Sequence, residues 1–170
     1  MLSSEIKQVN GIWRGKVKLD SWNTFFGEEK DIDLNIGGDM FVEFLDTKHN
    51  VGYEYLMTNQ SELLAVILQE LLAKYPIMQE EYGFEDDELD KYMPNIVNIQ
   101  EFKDIIKPKR IYILNIEKEG MVYLGFHFKC TWDEENDYGI MLHKKHVVKM
   151  GGADTAFLSW IAEEDKNTGK

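Results

Sequence analysis

Between Gly11 and Asp20 the chain alternates: Trp13, Gly15, Val17 and Leu19 share one parity, and Arg14, Lys16 and Lys18 the other. A period of two places the two sets on opposite faces of a β-strand. Residues 31–36 repeat the pattern, with Ile32, Leu34 and Ile36 inward and Asp31, Asp33 and Asn35 outward. Between these runs, residues 21–30 read as a turn-rich connection that pivots at Gly27. Gly37-Gly38-Asp39 then punctuates, and residues 40–45 read as a further short strand. The first quarter is therefore expected to form antiparallel sheet with one wet face.

From residue 47 to 83 the period changes. Leu64, Ile67, Leu68, Leu71 and Tyr75 recur at helical spacing, and Leu63, Val66 and Leu72 widen the stripe. A stripe that wide belongs to a helix covering a sheet. Asp46 or Thr47 suits the cap of a first segment over 49–57, and Ser61 that of a second. Pro76 predicts a kink or a fresh start. Asn98 suits the cap of a short helix that Pro108 ends. Residues 110–116 are apolar on both faces, as in a strand at the middle of a covered sheet. Residues 117–120, ending in Gly120, predict a hairpin turn into a strand from Met121 onward.

In that strand Val122, Leu124, Phe126, Phe128, Cys130 and Trp132 share the core-facing parity, and His127 has the opposite one, facing solvent. Residues 138–142 and 147–150 read as two more strands around an exposed, basic turn, His143-Lys144-Lys145-His146. The polar tail 163–170 is expected to fray. Strands, then helices, then strands predict an α+β fold: a mainly antiparallel twisted sheet covered by a central helical segment. One domain over 1–170 is expected, with strands in 1–45, helices in 46–106 and strands again in 109–158.

Charge narrows the function classes. With 31 acidic against 19 basic side chains the formal charge is −12. Phosphate binding needs a concentrated cationic face, so nucleic acid is an unsuitable partner. A basic protein suits the field better. A single cysteine fits a reducing, cytoplasmic setting. The first residues show no basic and apolar leader pattern, and no apolar run has membrane-spanning length.

The candidate chemistry thins on inspection. His127, Cys130, His143 and His146 are zinc-ligand types, but strand parity sends His127 and Cys130 to opposite faces, so no metal is expected. Cys130 among aromatic neighbours is disfavoured as a thiolate. Asp133, Glu134 and Glu135 are consecutive, so they do not face each other across a cleft as acid–base pairs do. They read as a turn that Asp133 closes with its own side chain, or as a solvent-facing group. Neither Gly37-Gly38 nor Gly151-Gly152 fits a phosphate loop, and no cofactor is expected. Residues 79–92 carry Glu80, Glu81, Glu85, Asp86, Asp87, Glu88 and Asp90 against one lysine. They form either a solvated acidic face or a recognition surface for a basic partner.

A motif lies in the C-terminal third: Phe128, Cys130, Trp132, Asp133, Glu135, Gly139 and Ile140, then Met150, Gly151, Ala153, Asp154, Ala156 and Phe157. It resembles the signature F-x-C-x-W-D-x-E-H-G-x-G-V, followed by V-G-x-A-D-x-A-F, of an uncharacterised bacterial domain family. Asn136 and Asp137 depart from it, standing where the family has His and Gly. An asparagine cannot titrate as a histidine does, so the resemblance implies an architectural role for the motif.

The expectation is a non-catalytic protein-binding module, of the kind represented by an acidic immunity-type inhibitor of a basic toxin. Its contact residues would be the seven carboxylates of 79–92, with Asp133, Glu134 and Glu135 second. The alternative is an enzyme or a small-molecule or metal-binding protein with a pocket near Trp132, Asp133 and His143.

Overall fold

The structure is a computed structural model that describes residues 6–168. Expectations for residues 1–5 and 169–170 lie outside it. Seven strands lie across one sheet in chain order: β1 (Lys7–Val9), β2 (Ile12–Val17), β3 (Ile32–Gly37), β4 (Ile106–Lys118), β5 (Met121–Cys130), β6 (Tyr138–His143) and β7 (His146–Gly151). Every neighbouring pair is antiparallel except β3 and β4, which are parallel. A parallel pair needs a long crossover, and here it contains α2 (Thr47–Tyr82) and α3 (Asp86–Tyr92). Two further helices, α1 (Asp20–Phe26) and α4 (Ser159–Asn167), complete the α+β fold. Among the described residues, no helix is long and apolar enough to cross a membrane.

β4 sits fourth of seven, and its two apolar faces serve two cores. Ile111 and Ile113 join the larger core beneath α1 and α2, whereas Tyr112, Leu114 and Ile116 join a smaller one beneath α4. Pro108 lies inside β4 rather than before it, beside a register shift between Pro108 and Arg110. A proline has no N–H to give a ladder, and an irregularity of this kind accommodates it.

The long helix forms as its stripe predicts, with Leu63, Leu64, Ile67, Leu68, Leu71 and Tyr75 all buried. Asp46 caps it, accepting from the Lys48 N–H while His49 accepts from the Asp46 N–H. Between 57 and Ser61, where a break was expected, the two segments join as one helix kinked at Asn59, with φ −110° and ψ 16°, whereas no kink forms at Pro76. Trp22 of α1 explains the site, because its indole N–H donates to the Gln60 carbonyl at 2.7 Å. A side chain that takes up a backbone carbonyl is a recognised cause of helix kinks. Pro76 stays within the helix on an exposed position, where water can serve the carbonyl it leaves unpaired.

Three other expectations are corrected. Residues 21–26 belong to α1; seven residues are too few to display a helical period. Gly27 does end that segment, at φ 71°. Residues 40–45 form no strand, because β2 and β4 already occupy both edges of β3. The run is pinned in loop form, with the Val42 carbonyl accepting from Trp13 Nε1 and Gln8 Nε2. Residues 163–167 continue α4 instead of fraying. Asp165 ties that turn down, accepting from the Tyr123 hydroxyl at 2.6 Å beside the Lys118 ammonium.

Candidate functional site

α2 ends at Gly83, whose left-handed φ of 67° turns the chain back. α3 then starts with Asp86, Asp87 and Glu88 in its first turn, where carboxylates favour a helix N-terminus. No residue of α3 is fully buried, yet the segment is clamped. Gln79 Nε2 donates to the Met93 carbonyl at 2.8 Å, and Thr131 Oγ1 to the Tyr92 carbonyl at 2.7 Å. Thr131 directly follows β5, so this clamp brings residues 79–92 against the turn at 133–137.

That turn closes as read from sequence: Asp133 Oδ1 accepts from the Asn136 N–H at 3.2 Å and from its side-chain amide at 3.1 Å. The Tyr82 hydroxyl donates to Asp133 Oδ2 at 3.3 Å. Two acidic stretches about fifty residues apart in sequence thus meet at one end of the sheet. Glu80, Glu81, Glu85, Asp86, Asp87, Glu88, Asp90, Glu134 and Glu135 are exposed, and Asp133 is half-buried. None of the ten takes part in an ion pair among the described residues, whereas Asp33, Glu62 and Asp165 elsewhere do.

Sequence reasoning missed the aromatic floor of this end. Tyr82 stacks on Phe84 with centroids 6.1 Å apart and planes 5° apart, and Phe84 lies 5.2 Å from Tyr92. The signal was present as three rings interleaved with the carboxylates of 79–92, but the charge run masked it. Tyr82 is 40% exposed, and Ile77 of the same helix is 57% exposed. Burial and the neighbouring Asp133 push the Tyr82 phenol up to about 12, so it stays a hydrogen-bond donor at neutral pH.

The alternative site does not assemble. Register sets His143 opposite Tyr123, while Trp132 and Asp133 lie beyond the far end of β5. At about 3.3 Å per residue, nine residues of strand separate them by nearly 30 Å. His143 is also buried rather than part of an exposed turn, its Nε2–H directed at the Lys118 and Met121 carbonyls at 2.9 and 3.1 Å. A concavity of about 330 Å³ does border Cys130, Glu134 and Asp137. Burial pushes the Cys130 thiol up to about 12, which removes it as a nucleophile at neutral pH. Among the described residues, no group of three His, Cys, Asp or Glu side chains is placed to hold a metal.

His127 is a second correction. It has the parity expected, but that face is covered too, and the ring is buried. Its Nε2 lies 2.7 Å from Asp137 Oδ2, and Nδ1 is buried without a hydrogen-bond partner among the described residues. Asp137 holds φ at 56°, a conformation that glycine adopts without strain. His49 is likewise buried, with Nε2 2.9 Å from Asn115 Oδ1.

Burial lowers both imidazoles below the usual 6.5, against the opposing pull of Asn115 and Asp46 on His49 and of Asp137 on His127. The unfolded chain therefore takes up protons that the folded one refuses. This contribution is complete above about pH 6.5 and shrinks as pH falls below it. The urea midpoint is expected to fall between pH 7 and 5.5, and more steeply in the wild type than in His49→Gln. Equal slopes would show that His49 is not held neutral.

The small residues of the C-terminal motif are explained by packing. A 3-10 turn (Ala153–Ala156) lies directly on β5 and β6. A Cβ on Gly125 would sit 1.6 Å from the Ala156 carbonyl oxygen, and one on Gly139 would sit 2.5 Å from that of Gly152. Gly38 similarly faces the Phe157 carbonyl oxygen, and Asp39 accepts from the Ser159 N–H at 3.0 Å, capping α4 from a distant loop. Gly38, Gly125 and Gly139 thus serve one seam between the sheet and its second layer.

No curated protein and no solved structure matches the chain. A family model does, over residues 11–158, which span β2 to the start of α4 and include both the clamped acidic end and the glycine seam. The chain belongs to the domain of unknown function family DUF6985.

Proposed function

We propose that this chain is a protein-docking module whose acidic end engages a basic partner. One observation carries the reading: two separate acidic stretches are clamped together at one end of the sheet, and none of their ten carboxylates is ion-paired among the described residues. Grouped like charges oppose folding, and they steer a cationic surface towards the molecule. Exposed Ile77 and Tyr82, both in the last turns of α2, add apolar surface near these carboxylates, and protein interfaces combine the two. An inhibitor of a basic toxin is the biological form that fits this reading most directly, since masking a cationic surface requires no chemistry of its own.

The test is kinetic. Once a partner has been isolated with the wild-type chain and identified, its association rate is measured for wild type and for the double variant Asp86→Lys, Asp87→Lys. The variant is expected to associate about tenfold more slowly at 50 mM salt and to show a flatter dependence on ionic strength. Identical rates and slopes would remove this end from the interface.

A further inference from the structure

The aromatic floor specifies more than charge. Three rings run in series, Tyr82 on Phe84 and Phe84 beside Tyr92. One end of the series already carries a cation, because Lys91 Nζ stands 5.1 Å from the Tyr92 centroid. The other end is Tyr82, which is 40% exposed and has no cation over its ring among the described residues. Its hydroxyl donates to Asp133, so the ring is fixed in orientation beside a carboxylate. A partly exposed ring held next to a carboxylate suits a planar cation that can stack on the ring and hydrogen-bond sideways. A guanidinium does both. An ammonium is a compact, strongly hydrated point charge and gains less from the ring face.

We infer that Tyr82 and Asp133 form an arginine-selective pocket, in which a guanidinium of the basic partner stacks on the Tyr82 ring and pairs with the Asp133 carboxylate. The inference rests on the docking role proposed above and adds the side chain it selects.

Hexa-arginine and hexa-lysine peptides, equal in length and charge, are titrated into the full chain at one ionic strength. Hexa-arginine is expected to bind about threefold to fivefold more tightly. Tyr82→Leu should bring the two affinities within about twofold of each other by weakening hexa-arginine alone, and Tyr82→Phe, which keeps the ring, should retain most of the preference. Thermal melts of both variants verify folding. Equal affinities for the wild type, or a preference that survives Tyr82→Leu, would overturn the pocket and leave the acidic docking end standing. Failure of both peptides to bind would overturn the docking reading together with the pocket.

Discussion

Gly125→Ala is expected to destabilise the fold by about 3 kcal/mol or more, enough to leave much of the protein unfolded at room temperature if its stability is ordinary. The added methyl would meet a backbone carbonyl at 1.6 Å, not the movable end of a side chain. Relief requires the 3-10 turn to lift away from β5, which would uncover Tyr112, Met141 and Ala156 of the smaller core. Interiors are packed too densely to absorb such a shift locally. Gly27→Ala is the comparison, since its φ of 71° is strained for alanine but nothing lies within 4 Å of the new methyl. That variant should lose only about 1 kcal/mol. Urea titrations read both. A Gly125→Ala protein as stable as Gly27→Ala would contradict the close seam between the sheet and its second layer.

Trp22→Ala is expected to cost about 3–5 kcal/mol, the usual range for removing a large buried aromatic. The ring is 1% exposed and stacks on Phe126 and Phe128 at 5.6 and 5.9 Å. Its loss also leaves the Gln60 carbonyl without the donor that accounts for the kink in α2. The effect should therefore exceed the lost packing, because an unpaired, half-buried carbonyl carries its own penalty. Trp160→Ala should change stability by less than about 1 kcal/mol, since Trp160 is half exposed and its ring lies under the Lys149 ammonium. Comparable midpoints for the two variants would mean that α1 does not anchor α2 through Trp22.

Much of the architecture was legible because burial leaves periodic traces. The alternation of β2 and β3, the broad stripe of α2 and the two apolar faces of β4 each predicted both an element and its place. The failures have specific causes. α1 is seven residues long, so it shows too little of a 3.6-residue period to read. The second layer went unseen because α4 buries only Ser159, Ile161 and Ala162, small or isolated residues within a polar run. Missing that layer sent His127 to solvent, since parity reports which face a residue occupies and not whether that face is covered, while His143, read as part of the turn, is the last residue of β6. The apolar run at 40–45 has a strand's composition, but a strand also needs a free neighbour, which sequence does not display.

At the candidate site, the acidic stretches were legible separately as charge, and so was the side-chain closure of the Asp133 turn. Their meeting was not. It depends on the Gln79 and Thr131 hydrogen bonds, which join residues distant in sequence. The rings of Tyr82, Phe84 and Tyr92 share no simple period, because Gly83 breaks the helix between the first two. Only the folded chain shows them as one floor. Within the motif around Trp132 and Gly151-Gly152, the small residues owe their place to packing, whereas Asp133 and Glu135 belong to the surface proposed to act.

The most direct test of that proposal is to map where a cation docks. Hexa-arginine is titrated into the isotopically labelled chain while its backbone amide resonances are followed. The account predicts shifts concentrated in residues 77–92 and 131–137, weakening together as salt is raised. Shifts spread evenly over other exposed carboxylates, such as Asp20, Glu163 and Glu164, would contradict it, as would a titration that moves no resonance.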